Sequence, residues 1–158
     1  MKKLLAALFS AFVIIPGPIV GGVYPFTPPE CFNMTFDKLI IGTSGPDLIK
    51  GTEGNDLIFG DLGADKIYGY GGNDCIVGGG GADSIDAGKG NDKVFGGNGP
   101  DYIKLGDGDD YANSYGGADY ILGDAGNDTL IGGDGPDLVK GGAGTDTCVS
   151  EAKVSCEL

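Results

Sequence analysis

Residues 42–68 read GTSGPDLIK (Gly42 to Lys50), GTEGNDLIF (Gly51 to Phe59) and GDLGADKIY (Gly60 to Tyr68), and the same cut of nine continues without an insertion to GGAGTDTCV (Gly141 to Val149). Twelve units, 108 residues, keep one register. The fourth position is Gly in every unit, from Gly45 to Gly144. The sixth is Asp in every unit: Asp47, Asp56, Asp65, Asp74, Asp83, Asp92, Asp101, Asp110, Asp119, Asp128, Asp137 and Asp146. The eighth is apolar throughout, from Ile49 and Ile58 to Val139 and Cys148. A fixed period of this kind marks stacked units, none of which can bury a core alone.

Glycine at fixed places lets the chain turn sharply at positive φ, so that carbonyl oxygens can converge. One carboxylate sits beside them in each unit. Calcium is a hard ion that takes six to eight oxygens, and backbone carbonyls plus one Asp from each of two stacked turns meet that demand. Asp also forms turns through its own side chain, but Asn or Ser would then serve in some units. Asp in all twelve argues for charge, so all twelve are candidate calcium ligands. The last three residues of each unit are expected to run extended, with the eighth side chain inward.

The unit resembles the G-G-x-G-x-D-x-U-x nonapeptide of the RTX (repeats-in-toxin) calcium-binding repeat family. The resemblance covers about two thirds of the chain. It implies an all-β fold, a right-handed parallel β-roll loaded with calcium. Ala87, Leu105 and Ser114 depart from the pattern in place of the first glycine, and Ala112 is a small core residue.

Position five alternates. Odd units carry Pro46, Ala64, Ala82, Pro100, Ala118 and Pro136, whereas even units carry Asn55, Asn73, Asn91, Asp109, Asn127 and Thr145. One coil is therefore expected to take eighteen residues, two turns and two strands, giving about six coils in a two-sheet solenoid about 28 Å tall. Odd turns would stack on one edge and even turns on the other, with up to about ten Ca2+ ions pinned between neighbours. Position nine is greasier on even strands (Phe59, Val77, Phe95, Asn113, Ile131, Val149) than on odd ones (Lys50, Tyr68, Asp86, Lys104, Leu122, Lys140). An apolar row on a parallel sheet calls for a cover. The nearest one is residues 23–41, an aromatic and Pro-rich segment with Tyr24, Phe26, Phe32 and Phe36 that ends in an opening strand at Leu39, Ile40 and Ile41.

The four cysteines allow three pairings and show no metal-binding spacing. Cys75, on the greasy outer face, is expected to pair with Cys31. Cys148 is expected to pair with Cys156, folding residues 150–158 into a cap over the end of the solenoid. At the other terminus Lys2 and Lys3 precede the uncharged stretch Leu4 to Ile15 and Pro16-Gly17-Pro18. That is the pattern of a secretory signal, expected over residues 1–22 with cleavage after Gly22 and no membrane span in the mature chain. Asn33-Met34-Thr35 fits a glycan acceptor.

With 10 Lys, no Arg, 23 acidic residues and a net charge of −13, the chain repels phosphate backbones, so nucleic acid is not an expected partner. The absence of His removes imidazole catalysis and ligation. Paired carboxylates could hydrolyse glycosides, but the repeated ones are committed to ions and no cleft is evident, so no enzyme is expected. The expectation is a secreted, extracellular or cell-surface structural protein that folds on binding calcium, a matrix component able to self-associate into filaments. The alternative is an ice-binding or adhesin-type module, for which some RTX adhesins present ranks of Thr and Asn. Here the Asn rank exists, but the third position has no Thr rank (Ser44, Glu53, Leu62, Gly71).

Overall fold

The computed structural model describes residues 13–20, 27–150 and 153–155. Apart from one 3-10 turn, Pro29–Cys31, the regular elements among them are strands. These are β1 (Val13–Val20), β2 (Thr35–Ile41), β3 (Leu48–Lys50), β4 (Asp56–Leu62), β5 (Lys66–Gly71), β6 (Cys75–Gly80), β7 (Ser84–Lys89) and β8 (Lys93–Asn98). They continue as β9 (Tyr102–Asp107), β10 (Tyr111–Gly116), β11 (Tyr120–Ala125), β12 (Thr129–Ile131), β13 (Leu138–Ala143), β14 (Thr147–Val149) and β15 (Lys153–Ser155). One sheet runs β1-β2-β4-β6-β8-β10-β12-β14 and the other β15-β13-β11-β9-β7-β5-β3. From β2 onward neighbours are parallel, and Ile49 lies beside Ile67 and Ile58 beside Ile76, eighteen residues on. The expected all-β two-sheet solenoid of eighteen-residue coils is thus the observed fold.

The longer strands cross the unit boundary. β5 takes the last three residues of one unit and the first three of the next. Because side chains alternate along a strand, position eight and the following position one both face inward. Ala87, Leu105 and Ser114 are accordingly buried, and Ala87 and Leu105 join the isoleucine row that fills the space between the sheets. Leu105 adds volume in the unit where position eight is only Ala112.

The turns explain the fourth-position glycine. At Gly81 φ is +137°, a region closed to other residues, and a Cβ there would collide with the carbonyl oxygen of Gly63 in the coil before. From Gly63 onward, Gly117 excepted, the fourth-position glycine has a positive φ and lies against the coil before, so there it serves both the turn and the close stacking of turns.

The greasy outer face of the even strands is covered at its N-terminal end. Cys31, Phe36, Leu39, Leu57, Cys75 and Phe95 form a second buried cluster, joined by Met34, Phe59, Val77 and Tyr111. A Cys31–Cys75 disulfide closes it, with a Cα separation of 6.2 Å. Phe36 covers the row as expected. Phe32 does not: it follows the 3-10 turn that points Cys31 inward, and is left 46% exposed. Tyr24 and Phe26 lie outside the described residues. The odd outer face is polar, with Lys66 over the Tyr68 ring, Lys140 over the Tyr120 ring, and Lys104 paired with Asp86 and Asp124. A shallow groove on that face is lined by Tyr68, Tyr70, Asp86, Lys104 and Asp124.

β1 comes from within the segment read as a signal and pairs antiparallel with β2, Val13 opposite Ile41, with an irregularity between Pro16 and Ile19. Proline is tolerated there because β1 is an edge strand. The rest of that segment, including Gly22, lies outside the described residues. At the other end β15 pairs with β13, and Cys148 is disulfide-bonded. Its expected partner, Cys156, lies outside the described residues. Among the described residues no helix is long and apolar enough to cross a membrane.

Candidate metal centre

The strands deliver one Asp to each turn, and the eighteen-residue coil stacks them in two files. Asp47, Asp65, Asp83, Asp101, Asp119 and Asp137 line one edge; Asp56, Asp74, Asp92, Asp110, Asp128 and Asp146 line the other. All except Asp47 are buried. Within each file the backbone N–H of one Asp donates to Oδ1 of the next coil's Asp. On the first edge these bonds run from Asp47 to Asp65, Asp65 to Asp83, Asp83 to Asp101, Asp101 to Asp119 and Asp119 to Asp137, at 2.8–3.1 Å. On the second they run from Asp56 to Asp74, Asp74 to Asp92, Asp92 to Asp110, Asp110 to Asp128 and Asp128 to Asp146, at 2.7–3.0 Å.

The second carboxylate oxygen is treated differently. Oδ2 of Asp65, Asp74, Asp83, Asp92, Asp101, Asp110, Asp119, Asp128 and Asp146 is buried without a hydrogen-bond partner among the described residues. A buried carboxylate oxygen in that state is costly unless something positive meets it. Next to it the first-position glycine keeps a space clear. At Gly78 the point where a side chain would begin lies 2.6 Å from both Asp83 Oδ2 and Gly96 O, the carbonyl of the following coil. Gly60, Gly69 and Gly123 bring together the same two kinds of oxygen. In the ninth unit Ser114 stands at this position, and its hydroxyl donates to Gly132 O at 2.6 Å.

This donor set fits a hard cation: anionic oxygen, neutral carbonyl oxygen, and neither imidazole nor free thiolate. Among the described residues no three acidic, His or Cys side chains gather at one point. An ion in these turns would therefore draw its carboxylates from stacked coils and its remaining oxygens from the backbone.

Burial raises the carboxyl pKa in both files. Asp74 is pushed up to about 8, Asp92, Asp101 and Asp110 to about 7, and Asp65 and Asp128 to about 6. Asp56 and Asp83 move the same way. Loss of water is the main cause, each backbone N–H donor opposes it, and for most of them the neighbouring carboxylates of the file add to it.

Position five forms a third file, on the even edge alone. Asn73 N–H donates to Asn55 Oδ1, Asn91 N–H to Asn73 Oδ1, Asp109 N–H to Asn91 Oδ1, Asn127 N–H to Asp109 Oδ1 and Thr145 N–H to Asn127 Oδ1, with Asp37 of β2 accepting from Asn55 at the top. The Pro and Ala of odd units have no side-chain oxygen for this, which is the physical content of the eighteen-residue period. It also gives the Asn rank a structural use.

The family model of the RTX calcium-binding nonapeptide repeat matches the chain in four copies, over residues 41–74, 68–103, 95–130 and 122–152. No curated protein matches the chain.

Proposed function

Because the chain belongs to the RTX calcium-binding nonapeptide repeat family, whose repeats bind calcium and are typically structural rather than catalytic, we propose that it is a secreted structural protein whose roll takes up Ca2+ on both edges and folds with it. The twelve sixth-position Asp are the proposed ligands. The observation that carries this reading is the file of buried carboxylates whose Oδ2 atoms have no partner beside inward carbonyls. Calcium would supply the positive charge and the ligation energy that the chain itself lacks. The residues do the rest: glycine clears the space, Oδ1 holds the register by accepting the N–H of the preceding coil's Asp, and Oδ2 of carboxylates such as Asp65, Asp74, Asp83 and Asp92 stays free of donors among the described residues.

Ion-free, the fold must confine stacked like charges at low dielectric, which opposes compaction. The proposed outcome is a chain loosely ordered without the ion and rigid outside the cell, where extracellular modules bind calcium at about 10⁻⁴ to 10⁻³ M. Export is supported by the signal-like leader and by the disulfide, which suits an oxidising compartment. Cleavage near Gly22 would remove β1 and free the edge of β2, through which copies could add into a filament. Circular dichroism with calcium and with EDTA tests the central proposal: an unchanged β spectrum in EDTA, with no bound divalent ion by elemental analysis, would overturn it. Electron microscopy of the processed protein in calcium distinguishes monomer from filament.

A further inference from the structure

The first turn on each edge differs from every turn stacked on it. Thr43 and Thr52 occupy the second position of the first two units. At the ten later second positions, from Asp61 and Tyr70 to Gly133 and Gly142, φ lies between +66° and +119°. Thr43 and Thr52 are outside that region. The difference in these two turns falls on the carboxylates. Thr43 N–H donates to Asp47 Oδ2 at 2.6 Å and its hydroxyl reaches the same oxygen at 2.9 Å. Thr52 does the same to Asp56 Oδ2, at 2.6 and 3.0 Å. Each hydroxyl oxygen in turn accepts from Gly45 N–H or Gly54 N–H, which orients it.

The equivalent oxygen in Asp65, Asp74, Asp83, Asp92, Asp101, Asp110, Asp119 and Asp128 has no donor among the described residues. An N–H and a cation cannot use one oxygen from one side, because the polar hydrogen carries positive charge and fills the approach. The geometry points to Thr43 and Thr52 as resident substitutes for the ion: threonine occupies Oδ2 of Asp47 and Asp56, no calcium sits on those oxygens, and each file of ions begins with Asp65 or Asp74. This inference rests on the calcium reading above and narrows it, removing Asp47 and Asp56 from the ligands that act through Oδ2. It also places these two threonine-bound oxygens at the same end of the roll as the disulfide and the apolar cover.

Two measurements on the full chain with its disulfides intact test it. The first is an anomalous-difference map from crystals grown in calcium. Ions are expected beside Asp65, Asp74 and later carboxylates, with none on Asp47 or Asp56. An ion bonded to Oδ2 of either overturns the inference, whereas ions at no turn overturn the calcium reading itself. The second is calcium per chain, by equilibrium dialysis and elemental analysis, for the wild type and T43G/T52G. The variant, with glycine free to adopt the later geometry, is expected to bind two more ions. An equal count would show that threonine is not what keeps the ion out.

Discussion

The backbone N–H of Asp74 donates to Oδ1 of Asp92 across one coil, at 2.8 Å, and leaves Oδ2 of Asp92 buried without a partner. One oxygen of each such carboxylate is thus structural in the protein as it stands, while the other is available to a cation. Fold and candidate ion site therefore share the same side chains, and conditions that act on one act on the other.

The metal-free protein is expected to lose stability as the pH rises. The folded Asp65, Asp74, Asp92, Asp101, Asp110 and Asp128 hold their protons up to about pH 6 to 8, whereas unfolded Asp releases its proton near pH 4. Between those limits the folded state binds more protons, so unfolding is promoted by raising the pH. This contribution is fully present below about pH 4 and is lost through the 6 to 8 window. Urea titrations in EDTA at pH 5 and pH 8 are expected to give the higher midpoint at pH 5. Calcium affinity has the opposite trend, because the ion competes with those protons, and calorimetry over the same range checks it.

Replacing Asp92 by Asn keeps an oxygen for the Asp74 N–H and removes a buried charge. In EDTA at pH 8 the variant is expected to be more stable than the wild type by about 1 kcal/mol. In calcium the order is expected to reverse, with fewer ions bound. Paired thermal melts and dialysis measure both.

Gly81→Ala is expected to destabilise by at least about 2 kcal/mol, since it imposes a side chain at φ +137° and against Gly63 O. Gly45→Ala, at the same repeat position in the first unit, has nothing within 4 Å of the added methyl and no positive φ, and is expected to be near neutral. Equal losses in denaturant unfolding would mean that the position matters for another reason.

Opening the Cys31–Cys75 bond with a C31S/C75S variant frees a loop with a sequence separation of 44 and loosens the cover over Leu57 and Phe95. By the chain-entropy relation the cost is about 4 kcal/mol. A lower melting temperature and increased binding of an apolar dye are the expected readouts, with calcium stoichiometry unchanged.

The nine-residue register by itself determined the roll. Gly at position four, Asp at six and an apolar residue at eight are local demands repeated twelve times, and the alternation at position five was enough to place odd and even turns on opposite edges. The cover and the Cys31–Cys75 pair were also legible, because parity along a strand tells which face a side chain takes. What only the tertiary structure decided depends on neighbours that a period does not name. Leu105 and Ala87 looked like faults in a glycine position and proved to be core, since the strand runs on past the unit boundary. Phe32 was turned outward by the 3-10 turn before it. Thr43 and Thr52 sit at ordinary repeat positions, yet they begin the two stacks of repeat turns, and there they give Oδ2 of Asp47 and Asp56 the donors that Oδ2 of Asp65 and Asp74 lacks among the described residues.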